Sequence, residues 1–376
     1  MKTLTVFGTR PEAIKLAPVL KELQKSSEIT SCVCVTAQHR QMLDQVLKIF
    51  EIQPDYDLNL MRPNQSLYQL TADALVALES VIQQEKPDVV ITQGDTTTAF
   101  VASLAAFYAQ IKIARVEAGL RTFQKYSPFP EEINRVLADA LADLHFAPTE
   151  RAKQNLVREG IPPEKIFVTG NTVIDALQHI WARVRDRDFS ESFSIPNEIF
   201  SQIERGEKKL LLVTGHRRES FGPEFESICL GLKKIAQHYS DVVLIYPVHL
   251  NPNVRTPVHE ILSQTDRVFL MEPLDYERFV WLIGRAFFIL TDSGGIQEEA
   301  PALGKPVLVM RKVTERPEAI EAGTAKLVGT DAETIFREAA RLIEDRDAYA
   351  QMAHAVNPFG DGHAAERIVK LLREQL

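Results

Sequence analysis

The strongest constraint in this chain is a rhythm: short apolar, β-branched runs alternate with helix-patterned segments, and the series is written twice. In the first half the runs are Thr3–Phe7, Ser31–Thr36, Val89–Thr92, Ile111–Val116, Leu144–Ala147 and Ile166–Val168. Helical patterns fill the gaps, among them Glu12–Gln24, Leu67–Gln84, Thr97–Tyr108 and Glu131–Leu141. Continuous apolar strands separated by helices predict a parallel sheet covered on both faces, since such strands have no wet face to fill with polar residues. The segment 183–209 breaks the rhythm. It is charged, contains Pro196 and Gly206, carries no strand, and reads as a helix end and a connection. The second series is Leu210–Thr214, Val242–Tyr246, Val268–Met271, Phe287–Thr291, Val307–Met310 and Lys326–Val328. The expectation is an α/β chain of two Rossmann-like, doubly wound parallel-sheet domains, 1–171 and 172–359, with a cleft between them. Three helices end the chain, Asp331–Glu344, Asp347–His354 and Ala364–Glu374. The last, within about 360–376, has no strand after it and is free to pack back on the first domain.

Composition narrows the partners. At 376 residues the chain exceeds what one core supports. A formal net charge of −8 argues against a nucleic-acid partner, which needs a basic surface. It leaves room for a small anion held by a local cluster of cations. Three cysteines are too few for a disulfide framework. Cys32 and Cys34 share one face of a strand, and even with His39 nearby the spacing fits no zinc pattern, so buried strand cysteines and no metal are expected. No apolar run approaches the ~20 residues that span a bilayer. The sequence opens directly on a strand, without a signal peptide, so a cytoplasmic protein is expected.

In doubly wound sheets ligands sit beyond the carboxyl ends of the strands, so the residues just after each strand carry the information. Asp292-Ser293-Gly294-Gly295-Ile296-Gln297-Glu298-Glu299 follows an apolar strand and opens a helix. Paired glycines let a phosphate approach backbone N–H groups, the helix start adds partial positive charge, and Ser293 adds a hydroxyl. Glu299, one turn in, suits the two hydroxyls of a ribose; a capped tight turn is the plainer reading of the same residues. Gly8-Thr9-Arg10-Pro11-Glu12 is another strand-to-helix turn, with Pro11 fitting the first helical turn. Arg10 and Lys15 there, and Arg316 beside Pro317, suit a phosphate or a solvated surface. His216, at the end of a second-half strand, suits a phosphate donor, an acid or a structural role. His249 is a weaker instance. Asp95 and Glu117 end consecutive strands and should be neighbours, and close carboxylates push their pKa values apart. Glu131 opens a helix four residues before Arg135, which also reads as an i,i+4 ion pair. Gly360-Asp361-Gly362-His363-Ala364-Ala365 matches a dinucleotide fingerprint but lacks a preceding strand, so no bound NAD is expected.

These stretches resemble a known family. The motifs are Gly8-Thr9-Arg10-Pro11-Glu12, Gly94-Asp95-Thr96-Thr97, Val116-Glu117-Ala118-Gly119-Leu120-Arg121, Pro128–Arg135, Gly170-Asn171-Thr172, Gly215-His216-Arg217-Arg218-Glu219, Asp292–Glu299 and Glu315-Arg316-Pro317-Glu318. They look like the signatures of bacterial non-hydrolysing UDP-N-acetylglucosamine 2-epimerases, and the resemblance runs from the first strand to Asn357–Gly362. It implies a GT-B-type fold, a homodimer, and interconversion of UDP-GlcNAc and UDP-ManNAc for surface polysaccharide synthesis. It further implies that Arg10, Lys15, His216, Ser293, Gly294, Gly295, Glu299 and Arg316 hold the UDP, with Phe279 by the uracil. Asp95, Glu117 and Glu131 fall on the catalytic carboxylates, with His216 and Arg135 beside them. Gln38, His39, Gln41 and His249 match an adjoining site for a second, activating UDP-GlcNAc. The chain departs from relatives at Asn64, where Arg is common, and at Leu274, where some have Gln, leaving any uracil contact there to the backbone.

The chemistry so implied has a physical difficulty, because the C2 proton of the sugar is not next to a carbonyl. With NAD argued against, the remaining route expels UDP first. Loss of the C1–O bond acidifies C2, 2-acetamidoglucal forms, and UDP adds back after a proton arrives on the other face. That route needs cations around the diphosphate, carboxylates at C2 and exclusion of water by domain closure. A hydrolysing relative, a GT-B glycosyltransferase and a nucleotide-sugar sensor are the alternatives.

Overall fold

The computed structural model describes every residue except 38–39 and 63–64, and of residues 40–42 it describes the backbone alone. The chain forms two compact units, Met1–Ala176 with Phe359–Leu376, and Leu177–Pro358.

The first unit runs β1 (Lys2–Phe7), α1 (Arg10–Gln24), β2 (Thr30–Val35), α2 (Arg40–Ile49), β3 (Tyr56–Asp57), α3 (Leu67–Glu85), β4 (Val89–Gln93), α4 (Thr97–Tyr108), β5 (Lys112–Val116), α5 (Glu131–Leu141), β6 (Leu144–Ala147), α6 (Glu150–Arg158) and β7 (Ile166–Val168). Helix α7 (Thr172–Val184) leads out of it, and the division between the units falls inside that helix. The seven strands are all parallel, in the order β3-β2-β1-β4-β5-β6-β7. The order reverses between β1 and β4. The loops after these two strands therefore part to opposite faces and leave a crevice at the sheet's carboxyl edge. Strand β1 is buried on both faces, with Leu4, Val6 and Phe7 wholly inaccessible alongside Thr3 and Thr5. Helix α4 is apolar nearly all round and mostly buried. Its start is fixed by Thr96, whose hydroxyl accepts from the Ala99 N–H at 3.1 Å.

The second unit contains α8 (Asn197–Glu204), β8 (Lys209–Thr214), α9 (Pro223–His238), β9 (Val242–Pro247), α10 (Pro252–Leu262), β10 (Val268–Met271), α11 (Tyr276–Arg285), β11 (Phe288–Thr291), α12 (Gly294–Ala302), β12 (Val307–Val309), α13 (Pro317–Glu321), β13 (Ala325–Leu327), α14 (Ala332–Glu344) and α15 (Arg346–Ala353). Its sheet is also parallel, ordered β10-β9-β8-β11-β12-β13, with the reversal between β8 and β11. Helix α16 (Ala364–Gln375) returns to the first unit and packs on α1.

Strand β3 is only two residues long, too short for a periodic signal, and has no counterpart among the strands the sequence predicts. Helix α8 lies in the segment expected to be a connection, where Pro196 and the surrounding charge mask its first turn. Cys32 and Cys34 are buried in β2 with free thiols, which burial first of all pushes up to about 12. No described helix is long and apolar enough to cross a membrane.

Candidate active site

In the first unit the switch-point loops are built around carboxylates. Glu12 is buried at the start of α1. It accepts from the Gly8 N–H at 3.0 Å, the Thr9 N–H at 2.8 Å, the Thr9 hydroxyl at 2.7 Å and the Thr96 hydroxyl at 2.6 Å. It thus ties the loop carrying Arg10 to the loop carrying Asp95. Burial pushes its carboxyl up, and these four hydrogen bonds offset part of that rise. Arg10 itself is exposed.

Asp95 follows β4. Its Oδ2 accepts from Arg135 Nε at 3.0 Å and from the second guanidinium nitrogen at 2.5 Å, and its carbonyl accepts from Asn134 at 2.9 Å. Arg135 also donates to Glu132 at 3.2 Å. The sequence spacing pairs Arg135 with Glu131; in the structure its partners are Asp95 and Glu132. Glu131 is half-buried in the first turn of α5, and its side chain makes no hydrogen bond or ion pair among the described residues. The neighbouring Glu132 is buried and receives the Thr122 N–H at 3.0 Å and the Phe123 N–H at 2.8 Å, so it anchors the loop before α5.

Glu117 directly follows β5, beside β4, in the register that pairs Gln93 with Val116. Its Oε2 receives Lys15 and the Gln93 amide, the latter at 2.9 Å. Its backbone sits at φ 62, a left-handed conformation that a residue with a Cβ adopts only when its surroundings impose it.

In the second unit Asp292 directly follows β11 and is buried. Its Oδ2 accepts the His216 N–H at 2.6 Å and the Arg217 N–H at 2.8 Å, locking the turn after β8 against the turn after β11. The His216 ring is 42% exposed, lies 3.3 Å from Asp292 and stacks on the exposed His249 at 5.6 Å. Ser293 precedes α12, whose first two residues are Gly294 and Gly295. Around this helix start stand arginines already matched by carboxylates. Arg217 meets Glu315 at 2.7 Å, Arg311 meets Glu315 at 2.5 Å and Glu219 at 2.6 Å, and Arg316 pairs with the buried Glu298. Burial raises the Glu315 carboxyl, but Arg217, Arg311 and Arg316 outweigh it and bring it down to about 2. These charges are balanced within the network, and the N–H groups at the α12 start add partial positive charge beside it. Glu299 is buried and accepts the Tyr276 hydroxyl at 2.6 Å. Phe279 and Leu274 are half-buried, on and just before α11.

Of the positions expected for a second ligand, Gln38 and His39 lie outside the described residues, as does Asn64, and the side chain of Gln41 lies outside them too. From sequence, Gln93 is only one of the polar residues gathered after a strand, Glu12 and Glu132 are motif members without a role of their own, and Asp139 is not marked out. The one available signal was Arg115, a charge written into the apolar run Ile113–Val116. Gly360 and Gly362 precede α16 with no strand before it, and Gly360 packs instead on Gly170.

Two doubly wound parallel sheets, one with carboxylates at its switch point and one with a glycine-led helix start at its own, define an α/β enzyme of GT-B type. The family model for UDP-N-acetylglucosamine 2-epimerase matches residues 21–373. The chain is 57% identical to the UDP-N-acetylglucosamine 2-epimerase of Salmonella typhimurium, covering 99% of this chain and 98% of that protein. The crystal structure of UDP-GlcNAc 2-epimerase from Neisseria meningitidis bound to UDP-GlcNAc superimposes with a TM-score of 0.89 at 51% identity, covering 100% of both chains. The Methanocaldococcus jannaschii enzyme in complex with UDP-GlcNAc and UDP gives 0.80 at 35% identity, again over 100% of both. The chain belongs to the UDP-N-acetylglucosamine 2-epimerase family.

Proposed function

We propose that this enzyme interconverts UDP-N-acetylglucosamine and UDP-N-acetylmannosamine by eliminating UDP to 2-acetamidoglucal and adding it back. The observation that carries the reading is the set of carboxylates at the first unit's switch point: Asp95, Glu117 and Glu131, two at the ends of adjacent strands and one at the next helix start. An epimerase must remove a proton from one face of C2 and deliver one to the other, so it needs more than one proton-transfer group.

In the forward direction a carboxylate takes the C2 proton. The C–H electron pair forms the C1=C2 bond, and the C1–O bond breaks with its electrons leaving on UDP. Protonation of C2 from the other face and return of the diphosphate oxygen to C1 complete the inversion. The leaving diphosphate is stabilised by the start of α12 at Ser293-Gly294-Gly295, with Arg316 and His216 as donors and Glu299 on the ribose. Asp95 is assigned to proton transfer, with Glu117 or Glu131 as its counterpart. A homodimer, a second UDP-GlcNAc near His249 as activator, and supply of surface polysaccharide belong to the same reading.

Incubation with UDP-GlcNAc in D₂O tests it. Deuterium at C2 of both epimers, without added NAD, is the expected result. Free N-acetylmannosamine would point to the hydrolysing reaction. Turnover that needs an acceptor and leaves C2 unlabelled would point to glycosyl transfer. Turnover with the C1–O bond intact throughout would overturn elimination.

A further inference from the structure

Behind the two strand ends that carry Asp95 and Glu117 lies a buried charge network that no catalytic step uses. Arg115, on β5, and Asp139, on α5, are each 1% exposed. Arg115 donates to Asp139 at 3.2 Å, to the Thr92 hydroxyl at 3.0 Å and to the Gly94 carbonyl at 2.5 Å. Asp139 accepts the Gly119 N–H at 3.0 Å and Arg121 at 2.9 Å. Arg121 is held in turn by Glu159 at 2.6 Å. Burial raises the Asp139 carboxyl, but the attraction of Arg115 and Arg121 outweighs it and keeps the group below its ordinary value.

The placement of these contacts is informative. Gly94 immediately precedes Asp95, and Gly119 is two residues beyond Glu117. One arginine–aspartate pair therefore grips the backbone of both loops. Gly119 is gripped on its other side as well, since its carbonyl accepts from Asn155 at 3.0 Å. Between the end of β5 and this double grip, Glu117 sits at its positive φ of 62. A buried ion pair is a costly way to gain stability alone, because desolvation consumes most of the attraction. Fixing a strained backbone and spacing two carboxylates are tasks that a non-directional apolar contact performs poorly.

We infer that Arg115 and Asp139 are positioning residues for the epimerisation, setting the separation and orientation of Asp95 and Glu117 through Gly94 and Gly119. The inference rests on the proton-transfer roles proposed above. It requires that loosening the pair slows the chemical step and leaves nucleotide binding by the second unit alone.

The test is Asp139→Asn in the full chain, which keeps shape and an acceptor while removing the charge, with Asn155→Ala as the milder companion. The expected result is a fall in kcat of about 10- to 100-fold for Asp139→Asn and about fivefold or more for Asn155→Ala. KM and UDP affinity should stay within about threefold, and the pH profile of kcat should move, when assayed well below each variant's melting temperature. A purely structural role would lower the melting temperature and leave kcat and its pH profile alone. Folded Asp139→Asn with kcat within twofold of wild type overturns the inference; should that variant not fold, the same result for Asn155→Ala overturns it. Wild type run in D₂O separates the two claims. Absence of label at C2 sinks the elimination reading, whereas normal labelling with unchanged kcat in the variants sinks this one alone.

Discussion

Lys15 and Glu117 stand 102 residues apart and form an ion pair at the first unit's switch point. Family resemblance assigns Lys15 to the nucleotide, whereas its contact here is with a carboxylate proposed for proton transfer. The two roles separate experimentally. If Lys15 serves Glu117, Lys15→Met should lower kcat by more than about tenfold, ~1.4 kcal/mol of barrier, and change UDP affinity by less than about threefold. Steady-state kinetics and calorimetric titration of UDP give both numbers. A tenfold weaker UDP complex with normal kcat would return Lys15 to the diphosphate. Gln93, which donates to the same Oε2 at 2.9 Å, should behave in the same sense but more mildly, because it orients the carboxylate without charge.

At the scale of elements, the end of β5 is pressed against α6. Gly119 has φ 86, and a Cβ built there would lie 2.2 Å from the Ala152 carbonyl oxygen in the first turn of α6. Backbone cannot swing aside as a side chain can. Gly119→Ala should therefore destabilise the protein by about 2 kcal/mol or more, the sum of a left-handed penalty of ~1–2 kcal/mol and helix displacement. Urea unfolding measures this, and a loss under about 0.5 kcal/mol would mean that α6 is free to retreat. Every strand but β3, most helices and the strand-end residues were legible in the sequence because each is a local signal: period, apolar run, capping residue, turn glycine. The networks were not. Asp139 looked like one more polar residue on an amphipathic helix, and its burial depends on Arg115 reaching it from a strand 24 residues earlier. Arg135 was legible as a partner for Glu131 only by helical spacing. The α4–α5 packing that accompanies its contact with Asp95 is a tertiary fact with no local trace.

At the scale of the whole chain, the buried carboxylates set the response to acid. A carboxyl held below its ordinary value binds fewer protons folded than unfolded, so it adds stability at neutral pH that is lost as pH falls through the folded value. Glu315 and Asp139 are of this kind, since arginines outweigh the burial that raises them. Glu12 works in the opposite sense, because burial dominates there. It offsets part of the loss, but its hydrogen bonds limit its share. Glu315 falls from the ordinary 4.5 to about 2, which at ~1.4 kcal/mol per pH unit corresponds to about 3 kcal/mol. The side chain is 24% exposed, so little of that is lost to solvent screening. Stability should hold down to about pH 4.5 and then fall steeply toward pH 2. Glu315→Gln should be less stable than wild type at pH 7, since Arg217 and Arg311 lose a charged acceptor, and the gap should narrow by about 3 kcal/mol across that same acid window. Urea midpoints at a series of pH values measure it. A gap that stays constant from pH 7 to pH 2.5 would mean that Glu315 contributes shape and not charge, and that the arginines around the α12 start are held in place by some other anion.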